Sequence, residues 1–138
     1  MKHENNGDCP QCKFIFDQFP GFHAGLRAWF VEFQTRQPEA HISCAGRGEV
    51  QQEALYLRHA TRAHFGQSAH NYNAAIDIFE MSKESPGNIY DLTWFKKILA
   101  PNLPEWVEWY GNPNASFFEL PHVEVKGWRA MGLILINS

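Results

Sequence analysis

Cysteine is scarce in this chain of 138 residues, with three in all, at positions 9, 12 and 44. An odd number excludes a fully paired disulfide framework and fits reduced thiols in a reducing compartment. Long apolar runs are missing too. The longest, Met131-Gly132-Leu133-Ile134-Leu135-Ile136, is far short of the ~20 residues that a spanning helix needs, so no membrane insertion is expected and the run reads as a closing core strand. No run of Lys or Arg occurs, the net charge is −3 and the pI is near 6.1. Binding driven by phosphate neutralisation is therefore excluded, and no nucleic-acid partner is expected. Residues 1–8 are polar and hold nothing like the apolar core of a secretory signal, so synthesis in the cytoplasm without a signal peptide is expected.

Cys9-Pro10-Gln11-Cys12 is a single C-x-x-C. A closed structural zinc site needs four ligands, and Cys44 is the one other cysteine. The pair therefore either joins a metal site completed by His3 or His23, or belongs to a disordered or redox-inert lead segment over residues 1–19. Residues 20–138 read as one domain, since the chain is 44% apolar and long enough to bury a core without staples.

Within that domain, Leu26, Trp29, Phe30 and Phe33 recur at helical spacing over residues 23–36, and Pro38 stops the helix. Residues 40–45 read as a strand running into a loop at Gly46, and residues 49–64 as a second helix. The apolar run 74–79 reads as a buried strand that carries Asp77. Asp91 is a plausible N-cap for a short helix with Leu92, Phe95, Ile98 and Leu99 on its apolar side, ended by Pro101. Residues 106–110 and 122–125 read as strands by aromatic and β-branched content and by alternation. Helices early and strands late indicate an α+β domain. The aromatics Trp106, Trp109, Tyr110, Phe117 and Phe118 read as core more readily than as a ligand platform.

The chemistry concentrates in Ser68-Ala69-His70-Asn71-Tyr72-Asn73-Ala74-Ala75-Ile76-Asp77 and in Glu119-Leu120-Pro121-His122. Zinc takes imidazole nitrogen and carboxylate oxygen, and a catalytic site uses three protein ligands so that the fourth position holds water. His70, Asp77 and His122 would supply the three, leaving Glu119 to handle protons. With seven histidines in the chain, surface or satisfied core positions are the competing reading. Asp77 weighs against it, because a carboxylate inside an apolar strand costs several kcal/mol unless a metal or a cation compensates it.

The segment 68–77 resembles the S-x-H-x-x-G-x-A-x-D signature of the zinc D-alanyl-D-alanine carboxypeptidases and L-alanyl-D-glutamate endopeptidases, a group that includes the Van-type D,D-peptidases and several bacteriophage endolysins. Glu119-Leu120-Pro121-His122-Val123-Glu124 is similar to the family's acidic-x-P-His-x-Glu element, and Arg47, Gln52 and Leu55-Tyr56 to its R-x₄-Q-x₂-L-[YF] element. Three motifs in order over residues 40–126 are far more specific than any one alone. The family's glycine is Asn73 here, a residue that tolerates the left-handed conformation, and the aromatic that normally precedes the arginine is Gly46.

The resemblance implies a small antiparallel sheet with helices packed on one face and a zinc site at the sheet surface, the architecture of the hedgehog and D-Ala-D-Ala peptidase group. It implies one catalytic Zn2+ on His70, Asp77 and His122, with Glu119 as general base and acid, Arg47 stabilising the oxyanion and Ser68 lining the substrate site. Gln52 is expected at a helix surface with a structural hydrogen bond. The implied activity is hydrolysis of a peptide bond in the peptidoglycan stem peptide by a monomeric metallopeptidase. It would be an L-alanyl-D-glutamate endopeptidase of phage endolysin type, made in the cytoplasm and acting on the cell wall after release or delivery by another factor. A D-alanyl-D-alanine carboxypeptidase and a non-catalytic, zinc-containing wall-binding domain are the alternatives. Loops at 82–88 and 111–118 are expected to set subsite specificity.

Overall fold

The computed structural model describes residues 2–82, 90–111 and 119–136. Apart from Ser82 and Gly111, the two specificity loops lie outside these residues, as do Phe117 and Phe118. Helices α1 (Pro10–Asp17), α2 (Ala24–Arg36) and α3 (Glu49–Leu57) alternate with or precede strand β1 (Ala40–Cys44). Strand β2 (Ala75–Glu80), the short helix α4 (Leu92–Trp94), β3 (Val107–Trp109) and β4 (His122–Val125) follow. The four strands form one antiparallel sheet in the order β1-β2-β4-β3, and the fold is α+β.

Helix α2 begins where its sequence pattern says it should. His23 is the N-cap and its Nδ1 accepts the Leu26 N–H at 3.0 Å, so this ring is committed to capping and to stacking on Trp106. It stands apart from the C-x-x-C as a ligand. Leu26, Phe30 and Phe33 are fully buried and share one core with Ile42, Ile76, Ile78 and Val123 of the sheet, while Trp29 packs at the edge and bonds the Asn102 carbonyl.

The lead segment contains a helix for which its polar opening gives no cue. Helix α1 places Cys9, Cys12 and Phe16 in the common core; Pro10 starts it, and its fixed φ suits a first helical turn. Helix α3 is shorter than the reading of residues 49–64. It ends at Leu57, His59 takes a positive φ of 60°, and Val50 and Leu57 are 82% and 76% exposed. Good helix formers extend a helix only where a face is packed, and this one buries Gln52 alone. Asp91 caps α4 through the Thr93 N–H. The chain then widens into a π turn (Phe95–Leu99) that buries Phe95 and Leu99, and a further turn (Ala100–Asn102) runs past Pro101.

The expected closing strand at 131–136 is absent. Ile134 is 86% exposed, Met131 and Leu135 are partly exposed, and Gly127 and Gly132, both with φ of +66°, turn the chain off the sheet. The segment is held by the Ile136 N–H to the Asn71 carbonyl at 2.7 Å and by Leu133 against the core. An apolar run of six does not distinguish a paired strand from a strap laid over a surface.

Candidate functional site

Register across the sheet builds the centre. Asp77 on β2 lies directly opposite His122 on β4 and, through an irregularity between Ile42 and Cys44, opposite Cys44 on β1. Directly paired residues project to the same face, so a thiol, a carboxylate and an imidazole stand in one row. His70 reaches that row from a 3₁₀ turn (Ala69–Tyr72) immediately before β2. Ser68 caps the turn, its side chain accepting the His70 N–H at 3.2 Å, while Asn71 Oδ1 accepts the Ser68 N–H at 3.1 Å. Asn73 ends it at φ 58°, ψ 33°, the left-handed conformation for which asparagine is suited.

Two imidazole nitrogens approach one carboxylate oxygen. His70 Nε2 is 3.1 Å and His122 Nδ1 3.4 Å from the same oxygen, Asp77 Oδ1. The far side of each ring is already engaged: His70 Nδ1 donates to the Ala45 carbonyl at 2.7 Å, and His122 Nε2 to Glu124 Oε1 at 2.7 Å. In the neutral imidazoles each inner nitrogen therefore carries a lone pair facing a carboxylate, an arrangement that demands a cation between them, either protons or a metal. The two nitrogen-to-oxygen spacings suit a metal's ligand shell. Ligands ~2.0–2.1 Å from a tetrahedral zinc stand about 3.3–3.4 Å from one another. Without metal, protons take the place. Burial works against charge on His70, but Asp77 and Cys44 beside it outweigh this and raise its pKa. Burial likewise opposes charge on His122, and its bonds to Asp77 and Glu124 raise it. For Asp77 burial alone would raise the pKa, and His70 and His122 hold it well below the carboxylate range.

Cys44 is the neighbour that sequence reasoning missed. Cys44, His70 and Asp77 bring ligand atoms within 4.8 Å of one another. The thiol lies 3.9 Å from His70 Nδ1, the nitrogen already bonded to Ala45, so it flanks the point shared by Asp77 and the two inner nitrogens. Burial pushes this thiol up, and His70 and Arg47 more than reverse that, leaving it lowered.

Arg47 is buried beside the row. One guanidinium nitrogen lies 3.4 Å from Asp77 Oδ2 and 3.6 Å from Cys44 Sγ, and the other donates to Gln52 Oε1 at 3.1 Å. Gln52 is fully buried, not at the helix surface as expected. It also accepts from Asn71 Nδ2 and donates to the Ala63 carbonyl at 2.7 Å, tying Arg47 to the turn that carries His70. Gln52→Leu is expected to leave Arg47 and Asn71 each short of an acceptor. It should cost about 2–6 kcal/mol, from ~1–3 kcal/mol for each of the two buried polar groups left unsatisfied, read as a lower midpoint in urea unfolding with unchanged slope. The aromatic missing before Arg47 has a physical counterpart: a Cβ at Gly46 would come within 2.4 Å of the Phe19 ring and 2.7 Å of Asn73 Oδ1, so Phe19 fills the space that a side chain there would need.

Glu119 sits at the opening. Its Oε2 is 3.8 Å from His122 Nδ1 and its side chain is 38% exposed, while backbone bonds to Tyr110 and His122 fix its position. With Ser68, His122 and Arg129 it lines a cleft of 580 Å³. Glu124 is a second residue whose role was not read from sequence. It is buried and accepts from His122, from Tyr110 Oη at 2.9 Å and from Trp128 Nε1 at 2.9 Å. The signal was available, since residues two apart on a strand share a face, and a carboxylate next to a ligand histidine is a common orienting partner. Burial raises and these donors lower its pKa, with lowering the net result.

The structure thus brings His70, Asp77, His122, Glu119 and Arg47 to one place, with Ser68 at the cleft wall and in the turn beneath His70. No family model and no curated protein matches the chain. Among solved structures it is similar to the Serratia marcescens L-Ala D-Glu endopeptidase ChiX, with a TM-score of 0.65 and 14% sequence identity over 88% of this chain and 90% of that one. At that identity the likeness establishes a shared fold across almost the whole of both chains.

Proposed function

We propose that the chain is a zinc-dependent peptidase that hydrolyses a peptide bond in the peptidoglycan stem peptide, with the bond between L-Ala and D-Glu as its target. The observation that carries this reading is the convergence of His70 Nε2 and His122 Nδ1 on Asp77 Oδ1, with Glu119 3.8 Å from His122 at the mouth of an open cleft. His122 and Glu119 line the cleft, and Glu119 is a partly exposed acid beside the ligands, a feature that a purely structural metal site has no need of. The shared fold with an L-Ala D-Glu endopeptidase supports the substrate class. Arg62 and Arg129 among the lining residues suit a substrate rich in carboxylates.

When bound, a zinc ion supplies Lewis acidity, which makes water a competent nucleophile near neutral pH. The residues around it do the rest. Glu119 takes a proton from the attacking water as oxygen adds to the scissile carbonyl carbon, and returns it to the amine nitrogen as the C–N bond breaks. Arg47, buried against Asp77 Oδ2 and Gln52 and outside the cleft lining, contributes positive charge from behind the ligand row, where it favours negative charge developing at the centre. Glu124 and the Ala45 carbonyl hold the two histidine rings in the required tautomer. Ser68, in the wall of the cleft, lines the substrate site.

Digestion of a defined muropeptide, with products identified by mass, tests the proposal. Cleavage between L-Ala and D-Glu that stops on chelation and returns with zinc is expected. Release of free D-Ala would instead identify a carboxypeptidase, and binding without cleavage by zinc-loaded protein would overturn the enzymatic reading.

A further inference from the structure

A second group of ligands lies apart from the cleft. His3, Cys9, Cys12 and His41 bring their ligand atoms within 4.8 Å of one another. They come from three parts of the chain: His3 from the N-terminal segment, Cys9 and Cys12 from the cap and first turn of α1, and His41 from β1, an edge strand of the sheet. Both cysteines are free thiols; Cys9, Cys12 and His41 are at most 2% exposed. From this geometry we propose that the four residues form a closed, tetrahedral Cys2His2 site for a zinc ion, distinct from the catalytic centre and structural in role.

Distances carry the argument. His3 Nδ1 is 3.4 Å from Cys9 Sγ and 3.5 Å from Cys12 Sγ, and His41 Nδ1 is 3.6 Å from Cys12 Sγ. With Zn–S near 2.3 Å and Zn–N near 2.0–2.1 Å, the sulfur-to-nitrogen edge of a tetrahedron is about 3.5–3.6 Å. The surroundings prepare the donors. Asn5 gives its amide N–H to the Met81 carbonyl, so its Oδ1 accepts from His41 Nε2 at 2.6 Å. That proton on Nε2 leaves a lone pair on His41 Nδ1, on the thiol side. Backbone N–H groups of Cys12 and Ile42 point at Cys9 Sγ and Cys12 Sγ at 3.4 and 3.3 Å, and Gln34 Nε2 reaches Cys12 Sγ at 3.4 Å. Burial pushes the Cys12 thiol up to about 12, and the Ile42 and Gln34 donors only partly offset this. The proton is therefore given up on binding the ion, with these donors then serving the thiolate sulfur. Four protein ligands leave no position for water, which is the mark of a structural centre, and the ion would pin the first residues and α1 to the edge of β1.

The site is tested with the catalytic centre removed. The Asp77→Ala protein is loaded with zinc, passed through gel filtration and assayed for metal. About one zinc per chain is expected to remain, and to be lost in Cys9→Ser/Asp77→Ala. Cobalt loaded into wild-type protein gives a second measurement that needs no folded variant. Thiolate-to-cobalt charge-transfer bands and the intense visible bands of a tetrahedral centre are expected, with both thiols protected from alkylation. Loss of all metal from Asp77→Ala protein that still unfolds cooperatively, or a cobalt spectrum of the wild type without thiolate bands, would overturn the proposal. Failure here leaves muropeptide cleavage untouched, so the two readings fall separately.

Discussion

Glu119→Gln is expected to keep zinc content and fold while lowering kcat by about 10²–10⁴-fold, the range that a positioned general acid-base contributes. The glutamine is nearly isosteric, and the backbone bonds that fix this residue, its N–H to the Tyr110 carbonyl at 2.8 Å and its carbonyl from the His122 N–H at 3.2 Å, do not involve the side chain. What disappears is a carboxylate 3.8 Å from His122 Nδ1, and with it the acceptor for the proton of the attacking water. The loss should fall on kcat more than on KM, since the interaction is made only as the proton moves. Turnover of a defined muropeptide set against zinc per chain gives the answer. Wild-type turnover in a zinc-replete variant would remove Glu119 from its assigned role.

How much of this could be read in the chain depends on whether the information is local. Asp77 stands out because it interrupts an apolar strand, and β2 does run Ala75–Glu80 with its neighbours Ile76 and Ile78 fully buried. Asn73 was interpretable for the same reason: a left-handed residue is a local property, and its φ is 58°. Helix α2 follows its periodicity almost to the residue. What stayed hidden depends on partners distant in sequence. Gln52 looks like a helix-surface residue until Arg47, Asn71 and Ala63 close around it. His41 is one residue of an ordinary strand until α1 brings Cys12 against it. Cys44 joins the site only because an irregularity in β1 slides it opposite Asp77. The apolar tail at 131–136 misleads in the opposite sense, since composition records that a segment is apolar but not whether a sheet edge is free to receive it.

Asp77→Ala should have the larger effect, abolishing both metal retention at the cleft and turnover, and destabilising even the metal-free protein. Asp77 Oδ1 is the atom on which His70 and His122 converge, and Oδ2 faces Arg47. Truncation leaves the buried Arg47 guanidinium and His70 imidazole without their carboxylate, and leaves His122 with Glu124 alone. Breaking a buried pair from one side costs about 3–5 kcal/mol, which for a chain of this size is a fall in Tm of roughly 10–20 °C. The difference between wild type and variant should depend on pH in a defined way. Asp77 is held below its ordinary range by the rings next to it, so its contribution is present above about pH 4 and is lost as pH falls through the folded value. His70 is raised, so its part of the interaction is complete below about pH 6.5 and fades as pH rises through its folded value. The metal-free proteins should therefore differ most between about pH 4 and 6.5. Zinc reverses the alkaline limb, because it replaces the protons on His70 and His122 and binds more tightly as pH rises. Thermal melts of both proteins with and without chelator, across pH 3–8, check each part. Equal Tm values for the metal-free pair at about pH 5–6 would show that Asp77 does not hold these charges together.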